Sequence, residues 1–194
     1  GFIGVDNPRK NYRDFPFLSS IQFFIMNRLD TKAQQEKLQY LSYRDALTNL
    51  YNRNRYMDVL ESYGQNKGQL IRNVGIIYMD LNELKKVNDE QGHEAGDSYI
   101  RRAAQQIVAV FPEHTYRIGG DEFVVLYPEI EQTEFEYFVS QLQKNAKEHQ
   151  VNISYGVVWK EICENLEELI TEADKKMYED KKLYYSNTKH NRRG

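Results

Sequence analysis

At residues 116–126 the chain reads Tyr116-Arg117-Ile118-Gly119-Gly120-Asp121-Glu122-Phe123-Val124-Val125-Leu126. The apolar run after two adjacent glycines predicts two strands joined by a tight turn, and we expect those glycines to adopt the positive φ of hairpin turns. Because glycine has no side chain, Gly119 and Gly120 also leave the backbone accessible to a ligand. Asp121 and Glu122 follow at the tip, where two carboxylates repel each other. Two interpretations are open on this stretch alone, an exposed acidic turn or a divalent cation site.

The composition of the 194-residue chain fits one domain of ordinary size plus an attachment. Hydrophobic residues make up 40%, which is enough apolar material for a packed core. The net charge of −3 lacks the basic footprint of a nucleic-acid-binding protein. A single cysteine, Cys163, excludes an internal disulfide framework and a cysteine-based zinc site, so we expect a cytoplasmic location. The longest apolar patch, Ile21 to Met26, is too short to cross a membrane, and we expect no membrane contact from this segment.

The first 42 residues have the pattern of attachments to another domain. Residues 1–6 alternate like a strand and precede the turn signal Asn7-Pro8. Because a lone strand cannot bury a face and the first residue is not Met, we expect residues 1–17 to be the remnant strand of an upstream sensor domain. Apolar residues then recur at helical spacing at Leu18, Ile21, Phe24, Ile25, Leu29, Leu38 and Leu41. This spacing predicts a connecting amphipathic helix over 18–42 that pairs with a second copy, or a helix that packs on its own chain.

A second strand that carries an acid is predicted upstream of the hairpin. The run Val74-Gly75-Ile76-Ile77-Tyr78-Met79 suits a central strand covered on both faces, and it ends in Asp80. If this strand lies beside the hairpin, three carboxylates converge at one edge of the sheet and would bind one or two Mg²⁺ ions. Further along, Asp97 is placed to cap a helix over 98–111, a role that is compatible with ligand binding.

From residue 43 onward the predicted elements follow the order α, β, α, β, β, α, β, α. Asn52 is placed to cap a helix over 53–63, and periodic segments predict helices over 133–149 and 166–185 and a strand over 151–159. Helices between antiparallel strand pairs are typical of an α/β (α+β) sandwich with a mixed central sheet and a ferredoxin-like core.

Polar residues beyond Asp80 complete a pattern suited to nucleotide chemistry. Lys85 and the nearby glycines can receive phosphate oxygens, as phosphoryl or nucleotidyl transfer requires. Asn88 and Asp97 suit hydrogen bonds to a base edge. A carboxylate accepts two bonds from the N1–H and N2–H₂ groups of guanine, which adenine cannot supply.

These residues resemble the GGDEF family, the diguanylate cyclases. The resemblance covers roughly residues 43–182 and rests on motifs at 45–53, 80–97, 117–123, 154–157 and 173–181. Residue 49 is Asn where the family usually has Gly. The resemblance implies a nucleotidyl-cyclase or palm-type core with flanking helices and an N-terminal linker helix. It also implies a GGDEF domain over 43–186, followed by a basic tail over 187–194.

The resemblance implies a role for each matching residue. Mg²⁺, with Mn²⁺ as an alternative ion, is held by Asp80, the backbone carbonyl of Leu81, Asp121 and Glu122. Asp121 is the proton acceptor, and Lys85 stabilises the transition state. Guanine is read by Asn88 and Asp97 with His93 close by, the nucleotide lies against Gly119 and Gly120, and the terminal phosphates contact Lys181.

The implied reaction joins two GTP molecules into cyclic di-GMP and releases two pyrophosphates. The 3′-hydroxyl of each GTP attacks the α-phosphate of the other, so two copies of the domain must face each other. The partners implied are therefore GTP, a second copy of this chain and an upstream sensor domain. The N-terminal strand and helix weakly resemble the end of a GAF-type sensor.

Two departures from the family pattern bear on activity. Val110 and Glu113 stand where the family's product-inhibition site has Arg and Asp, so we expect weak or no feedback through that site. Tyr185 stands where a phosphate-binding Arg is usual, and Lys182 could substitute for it. The intact acids favour an active enzyme. The alternative is a non-catalytic GGDEF module that binds GTP or a protein partner.

Overall fold

The structure of the chain is a computed structural model that describes residues 15–65 and 70–191. The chain divides into two compact units, residues 1–42 and residues 43–194, and each is described by itself. Residues 1–14 of the predicted sensor remnant lie outside the described residues, as does the end of the predicted basic tail. Residues 15–17 were predicted to belong to that strand, but they are the first residues of a helix.

A long helix, α1 (Phe15–Tyr43), accounts for the described part of the first unit, in agreement with the predicted N-terminal helix. Its apolar residues include four consecutive exposed positions, Phe23, Phe24, Ile25 and Met26. Four consecutive residues point in different directions around a helix, so these side chains form a broad apolar surface on this part of α1. Among the helices in the described ranges, none is both long and apolar enough to cross a membrane.

The second unit alternates strands and helices. In chain order its elements are β1 (Tyr51–Asn52), α2 (Arg53–Gln65), β2 (Ile71–Leu81), α3 (Leu84–Gln91), α4 (His93–Val110), β3 (Thr115–Arg117), β4 (Glu122–Tyr127), α5 (Gln132–Glu148), β5 (Ile153–Cys163) and α6 (Leu166–Asn191). The prediction that Asn52 caps α2 is confirmed, since its Oδ1 accepts a hydrogen bond from the Arg55 N–H at 3.1 Å. The last helix continues to Asn191, beyond its predicted end at 185.

The five strands form one mixed sheet in the order β1-β3-β4-β2-β5. β2 is central and pairs antiparallel with both β4 and β5, while β1 pairs parallel with β3. The predicted fold class, a mixed sheet flanked by helices, is confirmed. The near-continuous apolar run of β2 follows from its position, because both faces are covered: Ile77 belongs to one core cluster and Ile76 to the other.

Close packing places α6 directly on β5. Gly156 of β5 lies so near that a Cβ added there would overlap the backbone carbonyl of Ala173 in α6. A side chain at 156 would therefore push α6 away from the sheet. This contact matters for the site described below, since α6 carries Lys181.

Two local predictions are wrong. Asp97 does not cap a helix, because α4 already begins at His93, with Gly92 at its N-cap, and Asp97 lies inside it. The predicted hairpin of β3 and β4 is present, but its loop spans residues 118–121. Gly119 and Gly120 do not have positive φ; within the described ranges that conformation is found for one glycine, Gly92, at φ 86°.

Candidate active site

The carboxylates predicted to converge lie at one end of two paired strands. In the antiparallel register of β2 and β4, Asp80 is directly opposite Glu122. Asp121 is the last residue of the hairpin loop, and its carbonyl accepts a hydrogen bond from the Leu81 N–H at 3.0 Å. The prediction that the strand ending in Asp80 lies beside the hairpin is therefore confirmed, and one sheet edge carries all three acids.

The hairpin loop is shaped around the Glu122 side chain. The Glu122 carbonyl accepts hydrogen bonds from the Ile118 and Gly119 N–H groups at 3.0 and 3.4 Å. A Cβ added at Gly119 would overlap the Glu122 carboxylate, whereas one added at Gly120 would meet nothing within 4 Å. The two glycines thus differ: Gly119 makes room for an acid of this chain, and Gly120 leaves open space.

Burial and neighbouring negative charges raise the pKa values of Asp80 and Glu122. Burial raises the pKa of Asp80, the Asp121 charge adds to that effect, and the Lys181 ammonium opposes it. Burial likewise raises the pKa of Glu122, followed by the charges of Asp121, Asp80 and Asp174. Packing these carboxylates together is costly when they are ionised, and a cation among them would relieve that cost.

A cation of this chain already lies at Asp80. Lys181, from α6, places its Nζ atom 2.6 Å from Asp80 Oδ1. Although burial lowers the pKa of Lys181, its close ion pair with the Asp80 carboxylate outweighs that effect and raises the pKa. Asp80 is only 5% exposed, so the pair is shielded from water on the Asp80 side. The resemblance assigned Lys181 to terminal phosphates, but here its partner is a carboxylate.

The donors at this edge fit a divalent cation without forming a ready-made cluster. Across residues 15–65 and 70–191, no three His, Cys, Asp or Glu side chains lie in a metal-holding arrangement. Asp80 Oδ1 is buried and, within the same ranges, accepts no hydrogen bond of good geometry. A buried carboxylate oxygen that contacts a lysine ammonium and accepts no well-formed hydrogen bond in the described part of the chain is a suitable ligand for a hard cation.

The predicted guanine-reading residues form a second group on α3 and α4. The Asn88 side chain lies against Gly96, where an added Cβ would overlap it, and Asp97 is the next residue, half-buried. Lys85 and His93 are exposed. In the described part of the chain, Lys85, His93 and Asp97 take part in no side-chain hydrogen bond or ion pair, so the structure shows no bond between this group and the acids.

The turn between β2 and α3 connects the two groups and is fixed by contacts that the sequence did not indicate. Asn82 and Ser154 are fully buried and bond reciprocally, with Asn82 Nδ2 donating to Ser154 Oγ at 2.9 Å. The Tyr99 hydroxyl donates to the Asn82 carbonyl at 3.2 Å. Glu83, at φ 64°, donates its N–H to the Tyr185 hydroxyl at 3.0 Å. A polar residue at 82, next to a buried strand, was the available signal for the first contact.

A salt bridge joins the hairpin loop to the start of the second unit. Arg117 Nη1 lies 2.8 Å from Asp45 Oδ1, and Arg117 Nη2 donates to the Gly120 carbonyl at 2.8 Å. Burial alone would raise the pKa of Asp45, but hydrogen bonds from Thr48 and Arg117 hold it below its usual value. Both residues belong to motifs quoted above, yet nothing in their spacing connects them.

Comparison with known proteins identifies the family. Residues 42–186 match the family model described as "Diguanylate cyclase, GGDEF domain". The chain belongs to the GGDEF family. This match confirms the resemblance and connects the domain with cyclic di-GMP signalling in bacteria. Divalent metal use is typical of diguanylate cyclases in this family.

Curated relatives of this GGDEF domain include cyclases and a phosphodiesterase. Diguanylate cyclase DgcS of Shewanella oneidensis is 30% identical over 171 residues, which cover 84% of this chain and 58% of DgcS. Cyclic di-GMP phosphodiesterase PdeR of Escherichia coli is 34% identical over 119 residues, which cover 58% of this chain and 17% of PdeR. This chain therefore spans little more than half of one relative and under a fifth of the other.

Solved GGDEF structures share the fold. Diguanylate cyclase SiaD of Pseudomonas aeruginosa, in complex with its activator SiaC, has a TM-score of 0.68 at 21% identity and covers 89% of this chain and 71% of its own. The coiled coil and GGDEF domain of DgcB from Caulobacter crescentus, in complex with c-di-GMP, has a TM-score of 0.68 at 20% identity and covers 88% of this chain and 95% of its own.

Proposed function

We propose that this GGDEF domain is a diguanylate cyclase that condenses two GTP molecules into cyclic di-GMP and two pyrophosphates. The observation that carries the proposal is the pairing of Asp80 with Glu122 in register, beside Asp121, at one sheet edge. A degenerate domain has no need to keep three acids together against their mutual repulsion. Family membership supplies the reaction class, and the acids supply a reason to expect activity.

Each acid has a proposed role. Asp80, the Leu81 carbonyl, Asp121 and Glu122 would hold Mg²⁺, or Mn²⁺ in its place. The bound ion neutralises phosphate charge and makes the attacking 3′-hydroxyl more acidic. Asp121 accepts the proton of that hydroxyl as its oxygen bonds to the α-phosphorus and pyrophosphate departs. Lys85, exposed at the start of α3, stabilises the charge that develops on the phosphate oxygens.

The nucleotide would lie between the hairpin loop and α3. Asn88 and Asp97 read the guanine edge, and His93 lies close to the base. The open space at Gly120 admits the nucleotide, while Gly119 allows the Glu122 carboxylate to lie alongside it. Lys181 would contact the terminal phosphates once it leaves Asp80.

The full reaction requires two copies of the domain, because each active site presents only one GTP. We propose that the helix over 18–42 connects the domain to an upstream sensor and brings two copies together. The domain over 43–186 would then act in the cytoplasm, with 187–194 as a basic tail. Val110 and Glu113 imply weak or no product inhibition.

The test is product formation by a chain whose dimerisation is assured. The chain is fused at its N-terminus to a parallel coiled coil, incubated with GTP and Mg²⁺, and the products are separated by chromatography. Cyclic di-GMP from the wild type, and none from Asp121→Ala, supports the proposal. Wild-type product that does not exceed the Asp121→Ala background overturns it.

A second candidate is a non-catalytic GGDEF module that binds GTP or a protein partner. The observation that favours it is the Tyr185 hydroxyl bonded to Glu83, where the family usually has a phosphate-binding Arg. Binding of GTP by the dimeric chain, without formation of cyclic di-GMP, would support this module and exclude the cyclase.

A further inference from the structure

One face of α6 holds the end of β2 and the turn that follows it. Lys181 and Tyr185 are one helical turn apart, so their side chains lie on the same face of α6. The first reaches Asp80 Oδ1 at 2.6 Å, and the second accepts the Glu83 N–H at 3.0 Å. Tyr184 also hydrogen-bonds the Glu83 side chain. Burial, then the Glu83 charge and that hydrogen bond, raise the pKa of Tyr184 to about 12.

The two groups on α6 correspond to the two parts of a metal–triphosphate: a positive charge, as on the metal ion, and an acceptor oxygen, as on a phosphate. The Lys181 ammonium places a positive charge on a buried carboxylate oxygen proposed above as a metal ligand. The Tyr185 hydroxyl places an acceptor oxygen on a backbone N–H immediately before α3, where a helix N-terminus favours anionic oxygens. The first contact places a cation against a buried carboxylate oxygen, and the second gives the Glu83 N–H a hydrogen-bond acceptor.

We propose that Lys181 and Tyr185 are placeholders, the ammonium standing in for the cation on Asp80 and the tyrosine oxygen for a phosphate oxygen on the Glu83 N–H. This inference rests on the proposed function, because it assigns the metal and GTP to that same site. Substrate loading exchanges both contacts: Lys181 moves to the terminal phosphates, and Tyr185 releases the turn.

The exchange predicts effects of opposite sign for one substitution. Lys181→Met removes the competing positive charge from Asp80, so Mn²⁺ alone should bind more tightly, by about tenfold. The same change removes a phosphate contact, so 3′-deoxy-GTP with Mg²⁺ should bind less tightly. This nucleotide lacks the attacking hydroxyl and reports binding without reaction.

Tyr185→Phe tests the second contact. The ring is kept and the acceptor oxygen is lost, so the ligand no longer displaces a hydrogen bond worth about 0.5–1.5 kcal/mol. We expect 3′-deoxy-GTP to bind about threefold more tightly and the Glu83 amide proton to exchange faster without ligand. Weaker binding by Tyr185→Phe would mean that the hydroxyl contacts the bound nucleotide, and it would overturn the placeholder role of Tyr185.

The experiment uses the whole chain, with Mn²⁺ binding followed by electron paramagnetic resonance and nucleotide binding by calorimetry. Lys175→Met is the matched control, because it removes an exposed ammonium from the same helix, and it should change neither affinity. Lys181→Gln serves as a second uncharged variant, with circular dichroism to verify folding. Unchanged or weaker Mn²⁺ binding by both Lys181 variants overturns the inference.

The two proposals fail separately. If the dimeric wild type makes cyclic di-GMP but the Lys181 variants bind Mn²⁺ no more tightly, the placeholder role is wrong and the cyclase stands. If the variants bind Mn²⁺ more tightly and no cyclic di-GMP forms, the placeholder role stands and the cyclase proposal is wrong.

Discussion

Arg117 is bonded at once to Asp45 and to the carbonyl of Gly120, at 2.8 Å in each case. One guanidinium therefore fastens the loop that carries the acids to the turn at the beginning of the second unit. Its side chain is only 11% exposed and that of Asp45 23%, so water screens the pair less than it would a surface ion pair. The position of the hairpin loop therefore depends on the position of the turn that contains Asp45.

We expect Arg117→Met to destabilise the second unit and to lower cyclase activity. The substitution keeps side-chain bulk but removes the charged partner of Asp45, which retains its hydrogen bonds from Thr48, and the donor to the Gly120 carbonyl, at a cost of about 1–3 kcal/mol. Urea unfolding measures the stability change, and cyclic di-GMP formation measures activity. The exposed Arg101→Met serves as a control and should match the wild type.

The cost of Arg117→Met should depend on pH. Because the pKa of Asp45 is lowered in the folded chain, its contribution is present above the usual value of 3.8 and is lost as the pH falls through the lowered pKa. The difference between wild type and variant should therefore be full at pH 7 and shrink below about pH 3.8. A difference that is the same at pH 7 and pH 3 would show that the ion pair contributes nothing.

Glu122→Gln should stabilise the chain while abolishing its reaction. Burial, then the charges of Asp121 and Asp80, raise the pKa of Glu122 above 4.5. When folding raises the pKa of an acid, its ionisation destabilises the folded chain. That destabilisation is complete at pH values above the folded-state pKa and absent at pH values below the unfolded-state pKa. We expect the melting temperature of Glu122→Gln at pH 7 to exceed that of the wild type by about 2 °C, and the gain to vanish below about pH 4.5.

Two controls belong to that measurement. Glu90→Gln alters an exposed carboxylate and should leave the melting temperature unchanged. Added Mg²⁺ should raise the melting temperature of the wild type more than that of Glu122→Gln, because the ion relieves the same repulsion. Equal melting temperatures for wild type and Glu122→Gln at pH 7 would contradict the cost assigned to the clustered acids.

The sequence predicted those parts of the fold that depend on patterns among neighbouring residues. The apolar run of β2 and the hairpin were predictable because a doubly covered strand needs a continuous apolar stretch. The start of α4 was not, because Asp97 is a good cap and yet the chain turns earlier, at Gly92, where φ is 86°. The short helix α3 is largely polar, with no buried residue to give it a periodic pattern.

The sequence indicated which residues are candidates for the site, but it did not indicate which residues contact one another there. The acids were identified because carboxylates beside a sheet edge are an unusual choice without a ligand. The contacts that hold the surrounding turns join residues far apart in the sequence: Arg117 is 72 residues from Asp45, and Tyr185 is 102 residues from Glu83. Contacts of that separation depend on how α6 and the hairpin pack, which no local pattern encodes.

Ser154→Ala should loosen the turn after Asp80. The substitution removes both bonds to the Asn82 amide, and a buried amide without its partner costs about 1–3 kcal/mol. We expect lower stability in urea and weaker Mg²⁺-dependent stabilisation, since Asn82 follows the proposed ligand Leu81. Ser140→Ala is the control: its hydroxyl is exposed and bonds a carbonyl within α5, so stability should stay within about 0.5 kcal/mol. If both variants are equally stable, the buried pair is not holding the turn.

Gly156→Ala and Gly120→Ala should separate stability from ligand binding. An added methyl at 156 overlaps the backbone of α6, which cannot yield as a side chain can, so we expect a loss of at least about 2 kcal/mol. At 120 the methyl meets nothing within 4 Å, so stability should be unchanged, while 3′-deoxy-GTP should bind less tightly because the methyl fills the proposed nucleotide space. Calorimetric unfolding and nucleotide titration measure the two effects. Unaltered nucleotide binding by Gly120→Ala would mean that the nucleotide lies elsewhere.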